Sequence, residues 1–104
     1  MSAELTTLVA ERFKALADPA RVSLLSAMRD GQRSVSELVD ETGLGQANVS
    51  KHLARLHALG FVTRERDGLH IYYSLADRDV LKLCDLMCGR IEAEVRTRGK
   101  LFTQ

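Results

Sequence analysis

The sequence lacks most of the features that mark secreted, membrane-spanning or catalytic proteins. It contains two cysteines in 104 residues, too few for the disulfide framework of a small secreted domain. No apolar run approaches the roughly 20 residues that cross a bilayer, and the N-terminus carries no charged-then-apolar signal segment. Neither a Gly-rich phosphate loop nor a Ser-His-Asp order in a pocket context occurs. We therefore expect a cytoplasmic protein that is not an enzyme and has no membrane partner.

A strong charge of one sign is also missing. The formal net charge is +1 at pH 7, so the overall balance does not indicate a nucleic-acid partner. Residues 43–74 nevertheless hold an excess of positive charge and all three histidines, which gives weak support to DNA binding by this segment. The length predicts one domain over residues 1–104, small enough for a dimer interface to contribute to its stability.

Apolar spacing and capping signals predict three helices in the first part of the chain. Leucine, valine and phenylalanine recur at helical spacing over residues 4–17. Asp18 is a good N-cap and Pro19 suits the first helical position, so a second helix should begin here and run to about Asp30. A Ser-x-x-Glu capping box then opens a short third helix that ends near Thr42.

The fourth predicted helix, which follows a Gly-Leu-Gly turn, has two different faces. Val49, Leu53 and Leu56 share one face by helical spacing, and this face would pack on the domain. The opposite side carries small and polar residues, namely Gln46, Ala47, Ser50, Lys51, Ala54, Arg55 and Ala58. Small residues would let the helix enter a major groove about 12 Å wide, and the polar side chains can donate to bases and phosphates. The alternative interpretation is an ordinary solvated face.

A β-hairpin is predicted directly after this helix. Two runs rich in β-forming side chains flank Asp67-Gly68, which is a strong hairpin signal. Arg64 and Arg66 are spaced to lie on one face of the hairpin. Together with His70 they would contact phosphates or reach into a minor groove. The alternative is a hairpin that only covers the core with a charged edge.

Several motifs in the chain match a known family. They are Gln46, Asn48-Val49-Ser50-Lys51-His52-Leu53, Leu56, Leu59-Gly60-Phe61-Val62, Arg66, Gly68 and Tyr73-Ser74-Leu75, with the upstream Phe13-Lys14-Ala15-Leu16-Ala17-Asp18-Pro19-Ala20-Arg21-Val22 and Leu24-Leu25. In order and spacing they resemble the ArsR/SmtB family of winged-helix repressors, over nearly the whole chain. The resemblance implies a mainly α winged helix-turn-helix with about five helices and a two-stranded wing, in the order α-α-α-α-β-β-α. It further implies a homodimeric repressor that binds an operator and is released by a metal or by thiol chemistry.

The residues and the resemblance together predict double-stranded DNA as the partner. The expected DNA contacts are Gln46, Ala47, Ser50, Lys51, His52, Arg55, Arg64, Arg66 and His70. The resemblance implies that helices 4–17 and 77–98 form the homodimer interface, and the last helix does carry more apolar surface than a small core needs. Such a dimer would bind a palindromic operator. The alternatives are a protein-interaction module of the same fold and a repressor without an inducer.

Cys84 and Cys88 are the candidate sensor residues. They lie four residues apart on the last predicted helix. At that spacing the Cβ atoms are about 5 to 6 Å apart, so a disulfide within an intact helix is unfavourable. Three interpretations remain open: packing residues in the dimer interface, redox or persulfide sensing, and binding of a thiophilic metal or arsenite.

The resemblance also implies positions at which metal sites would occur. The segment that carries a Cys-x-Cys in some family members is 36–40 here, and it contains no thiol. The Asp-x-His of a second site type corresponds to Asp77-Arg78-Asp79, and its later ligands fall near Arg90 and Ala93. Because a guanidinium is not a metal ligand, we expect no metal site of these types and no cofactor.

Overall fold

The computed structural model describes residues 1–99. The elements, in chain order, are α1 (Ala3–Leu16), α2 (Pro19–Ala27), β1 (Arg33–Ser34), α3 (Val35–Thr42), α4 (Gln46–Ala58), β2 (Val62–Asp67), β3 (His70–Leu75) and α5 (Asp79–Arg98). The predicted mainly α fold, with a hairpin between the fourth and fifth helices, is confirmed. The predicted domain extended to residue 104, and its last five positions lie outside the described residues.

The sheet contains a strand that the sequence analysis did not predict. β1 pairs antiparallel with β3, and β3 pairs antiparallel with β2, so the order is β1-β3-β2. The hairpin is therefore part of a three-stranded sheet and not a separate two-stranded wing. The turn also lies one position later than predicted, because Asp67 already pairs with His70 and the connection is Gly68-Leu69. Gly68 has φ 63°, a left-handed conformation that glycine adopts at no steric cost.

Side chains cap the first three helices, and two of these caps, Asp18 and Ser34, were predicted. The first helix spans residues 3–16 and not the predicted 4–17. The Ser34 hydroxyl accepts the Glu37 backbone N–H at 3.2 Å, and the Glu37 carboxylate accepts the Ser34 N–H at 2.9 Å. The hydrogen bond from the Ser34 backbone holds the pKa of Glu37 below its usual value. Asp18 caps α2, and Ser2 caps α1. Side-chain capping of this kind stabilises a helix by about 1 kcal/mol.

The last helix begins two residues later than predicted. Arg78 occupies the N-cap position of α5, and its side chain makes no capping hydrogen bond. The predicted cap, Asp77, lies one residue earlier, and its carboxylate accepts the Asp79 backbone N–H at 2.8 Å. The carboxylate therefore satisfies an N–H of the first turn from outside the helix, and the predicted segment 77–98 is corrected to 79–98.

The hydrophobic core lies between α2, α3, α4 and the sheet. Its fully buried side chains are Leu24, Leu25, Met28, Leu38, Val49, Leu53 and Leu56. Only the first turn of α5 reaches this core, through Val80 and Leu81. Within residues 1–99, no helix is both long and apolar enough to cross a membrane.

Candidate nucleic-acid interface

The two faces of α4, which we call the reading helix, differ as predicted. Val49, Leu53 and Leu56 are completely buried. The exposed residues are Gln46, Ala47, Asn48, Ser50, Lys51, Ala54, Arg55 and Ala58. Asn48 was not among the predicted contacts, although it lies three residues before Lys51 and so on the same side of the helix. The buried face therefore fixes which side of α4 is presented to solvent.

The beginning of the reading helix differs from that of the preceding helix. The N-cap of α4 is Gly45, and no side chain bonds to the first-turn N–H groups. In α3, by contrast, the Ser34 hydroxyl accepts the first-turn N–H of Glu37. Free N–H groups at a helix N-terminus are favourable partners for phosphate. The end of the helix that carries Gln46 thus adds backbone donors to those of the exposed side chains.

His52 does not lie with the exposed residues of the reading helix. Its ring is half-buried, and its Nδ1 accepts a hydrogen bond from Nε of Arg21 at 3.2 Å. The ring is therefore directed at α2, while Lys51 and Arg55 are exposed. Among the predicted contacts on α4, His52 is the one that the fold separates from the rest.

The hairpin brings two of its three predicted contacts together. Arg64 pairs with Tyr73 across the two strands, and Arg66 lies on the same face, because alternate residues of a strand share a face. His70 belongs to the opposite face, with its ring centroid 6.2 Å from that of Tyr72. All three predicted contacts are exposed, and Leu69 at the turn is 95% exposed. The sequence spacing predicted the arginine pair correctly but did not separate His70 from it.

Two arginines that the sequence analysis did not select connect the first two helices to the reading helix. Nε of Arg12 donates to the Leu59 carbonyl, at the C-terminal end of α4, at 3.0 Å. Nη1 of Arg21 donates to the Ala15 carbonyl at 3.2 Å, besides the bond to His52. These contacts span up to 47 positions in the chain. No local pattern marks such partners, although Arg21 does belong to the motif that carries the family resemblance.

The two cysteines differ in their surroundings. Cys84 is half-buried and Cys88 is exposed. Sγ of Cys88 donates to Oε1 of Glu92 at 3.3 Å, and this hydrogen bond raises the pKa of the Cys88 thiol. The thiolate, which is the nucleophile and the metal ligand, is thereby disfavoured at Cys88. In the single chain, the packing interpretation agrees with Cys84 better than with Cys88.

Both thiols line one apolar groove between α1, α2 and α5. The groove has a volume of about 480 Å³, and its lining includes Phe13, Leu16, Val22, Cys84, Met87 and Cys88. Apart from the thiols, its polar group is the Glu92 carboxylate. Among the described residues, no group of three or more His, Cys, Asp or Glu side chains is arranged to hold a metal ion.

Comparison with known proteins places this geometry in a family. The family model described as bacterial regulatory protein, arsR family, matches residues 18–64. The crystal structure of Rv0081 from Mycobacterium tuberculosis superposes with a TM-score of 0.82 at 36% identity, over 93% of this chain and 98% of that one. The chain belongs to the ArsR family. Members of this family are DNA-binding regulators and not enzymes.

Two further ArsR-family proteins show what this chain is similar to. The HTH-type transcriptional repressor SmtB of M. tuberculosis is 43% identical over 74 residues, which are 71% of this chain. The match spans only 55% of the length of SmtB. The homodimeric winged helix-turn-helix domain of Mb0332 from Mycobacterium bovis has a TM-score of 0.75 at 32% identity, over 91% of this chain and 86% of that one.

Proposed function

We propose that this chain is a transcriptional repressor that binds a palindromic double-stranded operator as a homodimer. The observation that carries the proposal is the exposed face of the reading helix, which is small and cationic and lies opposite a completely buried face. Ala47 and Ala54 permit a close approach to the floor of a major groove. Membership of the ArsR family and the likeness to the SmtB repressor support the same function.

Some of the proposed contacts would specify the DNA sequence, and others would position the protein on the DNA backbone. Gln46 and Ser50, near the N-terminal end of the reading helix, would donate to base edges. Lys51 and Arg55 would bind bases or phosphates, and Arg64 and Arg66 would bind phosphates from one face of the hairpin. His70 would reach the backbone only from the other face of the hairpin, and the Nδ1 of His52 is already bonded to Arg21.

The proposed dimer is supported by apolar surface on the two terminal helices. Large exposed side chains on α1 are Leu5, Leu8 and Phe13, and on α5 they are Leu83, Leu86, Met87 and Ile91. A contiguous apolar surface of this kind marks an interface. A second copy of the chain would cover it and place two reading helices about 34 Å apart, one turn of DNA. The homodimer described for Mb0332 supports this arrangement.

Fluorescence anisotropy with DNA from upstream of the coding region tests DNA binding. We expect Lys51→Ala/Arg55→Ala to abolish operator binding, because the variant loses two cationic groups of the reading helix. The control is Lys14→Ala, which removes a positive charge from an exposed position of α1 outside its apolar residues. Normal binding by the first variant, or equal loss in both, would show that α4 does not read DNA.

Salt separates this function from the alternative of a protein-interaction module. Operator affinity should fall steeply with added salt, by roughly one unit of logarithmic slope per neutralised phosphate. Docking of an apolar protein surface should be nearly indifferent to salt. An affinity for duplex DNA that does not change with salt would therefore exclude the proposed mode.

Release of the operator by thiol chemistry at Cys84 and Cys88 is the second part of the proposal. One observation favours it: both thiols line the apolar groove, which the proposed dimer interface would cover. A modification or a bound atom there would change the packing of α5, and about 1 to 3 kcal/mol of coupling suffices for regulation. The candidate agents are a thiophilic metal or arsenite held by both sulfurs, and an oxidant or polysulfide acting on one.

The same anisotropy assay distinguishes these agents. Reduced protein on its operator would be treated in turn with cadmium, arsenite, peroxide and a polysulfide. An agent that releases the wild-type protein from DNA, but releases neither Cys84→Ser nor Cys88→Ser, would identify the chemistry. If every agent leaves the affinity unchanged, the cysteines are packing residues and the repressor is constitutive with respect to thiols.

A further inference from the structure

Arg21 joins three helices through one side chain. It lies in the first turn of α2, where Nη1 donates to the Ala15 carbonyl in the last turn of α1 at 3.2 Å. Nε of the same guanidinium donates to Nδ1 of His52 in the middle of the reading helix, also at 3.2 Å. Both bonds are partly buried. The planar guanidinium holds its donors in a fixed geometry, so the two acceptors are placed relative to each other.

The backbone at Arg21 is itself fixed. Its N–H donates to Oδ1 of Asp18 at 3.2 Å, and the Ala20 N–H donates to the same oxygen at 2.9 Å. Pro19 occupies the first helical position, where its restricted φ suits the helix. The hydrogen bond from the Arg21 backbone holds the pKa of Asp18 below its usual value, so this carboxylate stays ionised as an acceptor. The side chain of Arg21 therefore extends from a rigid junction.

The bond to Arg21 also determines the state of the His52 ring. A neutral imidazole has one donor and one acceptor nitrogen, and Nδ1 accepts here, so the proton is on Nε2. His52 follows Lys51 directly and precedes Arg55 by three residues. A fixed His52 ring therefore limits rotation of α4 about its own axis, and recognition requires side chains held within about 0.5 Å and 10 to 20°.

We propose that Arg21 is a positioning residue that sets the rotation of the reading helix against α1 and α2, with His52 as its anchor point and not a DNA contact. The proposal rests on the proposed function. It also connects the two parts of that function, because α1 belongs to the proposed dimer interface and α4 reads the operator.

Substitutions at His52 separate anchoring from DNA contact. His52→Asn keeps an acceptor close to the position of Nδ1, so we expect operator affinity close to that of the wild type. His52→Gln places its amide nearer the position of Nε2, and His52→Ala has no polar group. Both should lose roughly tenfold in affinity, the size expected for a hydrogen bond to a charged group. Rescue by Gln and failure of Asn would instead make Nε2 a DNA contact and overturn the proposal.

Substitutions at Arg21 supply the matched control for charge. Arg21→Lys keeps the charge but cannot make both bonds, so it should lose affinity as Arg21→Ala does, with the salt dependence unchanged. The double variant Arg21→Ala/His52→Ala should be no weaker than Arg21→Ala alone, because the link to His52 is already absent in that variant. Thermal unfolding confirms that each variant is folded at the temperature of the assay. Additive losses in the double variant, or normal affinity of Arg21→Lys, would overturn the proposal.

A readout without DNA keeps the two proposals distinguishable. The ring ¹⁵N shifts of His52 should report an unprotonated Nδ1 and a protonated Nε2 in the free wild-type protein. Arg21→Ala should shift this balance towards a mixture of tautomers, whereas Lys51→Ala/Arg55→Ala should leave it unchanged. If the shifts follow this pattern but no duplex binds, the proposed function fails and the Arg21–His52 link stands. If Arg21→Ala leaves the ring unchanged, the link itself is wrong.

Discussion

The reading helix and α5 use their apolar residues in opposite ways. The 13-residue α4 buries Val49, Leu53 and Leu56 completely inside the chain and exposes small and polar side chains. The 20-residue α5 buries only Val80 and Leu81, and beyond its first turn it exposes residues such as Leu86, at 73%. The reading helix has its packing partners in the same chain. Helix α5 exposes an apolar surface that the proposed dimer would cover, so the proposal assigns folding and assembly to different parts of the molecule.

Polar contacts join α5 to the C-terminal end of α2. The guanidinium of Arg29 and the carboxylate of Asp85 form two parallel hydrogen bonds of 3.1 and 2.9 Å. Arg78 adds a bond of 3.0 Å to the Arg29 carbonyl at the end of α2. These groups are largely exposed, and exposed pairs contribute little to stability. Beyond the buried Val80 and Leu81, these polar contacts hold α5 only weakly in the single chain.

The largest expected effect comes from truncating the buried face of the reading helix. Leu53→Ala should lower the free energy of unfolding by about 2 to 5 kcal/mol, because it removes buried methyl groups and leaves a cavity. Leu86→Ala removes the same atoms from the exposed face of α5 and should change monomer stability little. Urea denaturation of dilute protein measures both. Equal losses would mean that Leu86 packs within its own chain, as Leu53 does.

The next effect concerns assembly. In the proposed dimer, Leu86→Glu would place a charge in the apolar interface, so the dimer should dissociate and operator affinity should fall about 100-fold as the second binding site is lost. Sedimentation equilibrium and anisotropy measure the two quantities. Ser26→Glu, at an exposed position of α2, is the control and should change neither. A monomeric variant with undiminished affinity would separate DNA binding from dimerisation.

A smaller effect is expected at the thiols. Glu92→Gln removes the carboxylate that raises the pKa of Cys88, so its thiolate fraction at neutral pH should rise. The rate of alkylation at Cys88 should then increase, because the thiolate is the reactive form. Mass spectrometry of iodoacetamide adducts measures each cysteine separately. An unchanged rate at Cys88 would show that the bond to Glu92 is not maintained in solution.

The smallest effect, on the melting temperature, should follow from loss of the exposed ion pair between Arg29 and Asp85. The hydrogen bond from Arg29 holds the pKa of Asp85 below its usual value. The contribution of the pair is therefore complete above the unfolded-state pKa and is lost as the pH falls through the lower folded-state value. Asp85→Asn should melt slightly below the wild type at neutral pH and together with it in strong acid. A difference that persists in acid would have another cause than the charge of Asp85.

The parts of the fold that were predicted depend on residues close together in sequence. The capping box at Ser34 and the buried face of α4 involve positions three or four residues apart, within reach of periodicity. β1 was missed because two residues show no period, and its pairing with Tyr73 is a tertiary contact. The predicted turn lay one residue before the observed Gly68-Leu69, because the sequence does not show that Asp67 pairs with His70.

The candidate site was predicted in the same uneven way. Spacing alone identified Lys51 and Arg55 as exposed, since helical geometry determines which residues oppose the core. The orientation of His52 depends on Arg21, which lies 31 positions earlier, and nothing in the local sequence reports it. The hydrogen bond from Cys88 to Glu92 joins residues at i and i+4, so helical spacing alone would have revealed it.

Gly45 shows how closely stability and recognition compete at the start of the reading helix. Its φ of −67° and ψ of 150° suit any residue, and a Cβ there would meet no heavy atom within 4 Å. Neither strain nor crowding requires glycine, which as an N-cap costs only a few tenths of a kcal/mol relative to serine or aspartate. Gly45→Asp would therefore be selected in a screen for higher melting temperature. It would also set a negative charge beside the N–H groups that we propose bind DNA phosphate, so variants of this protein should be ranked on affinity and stability together.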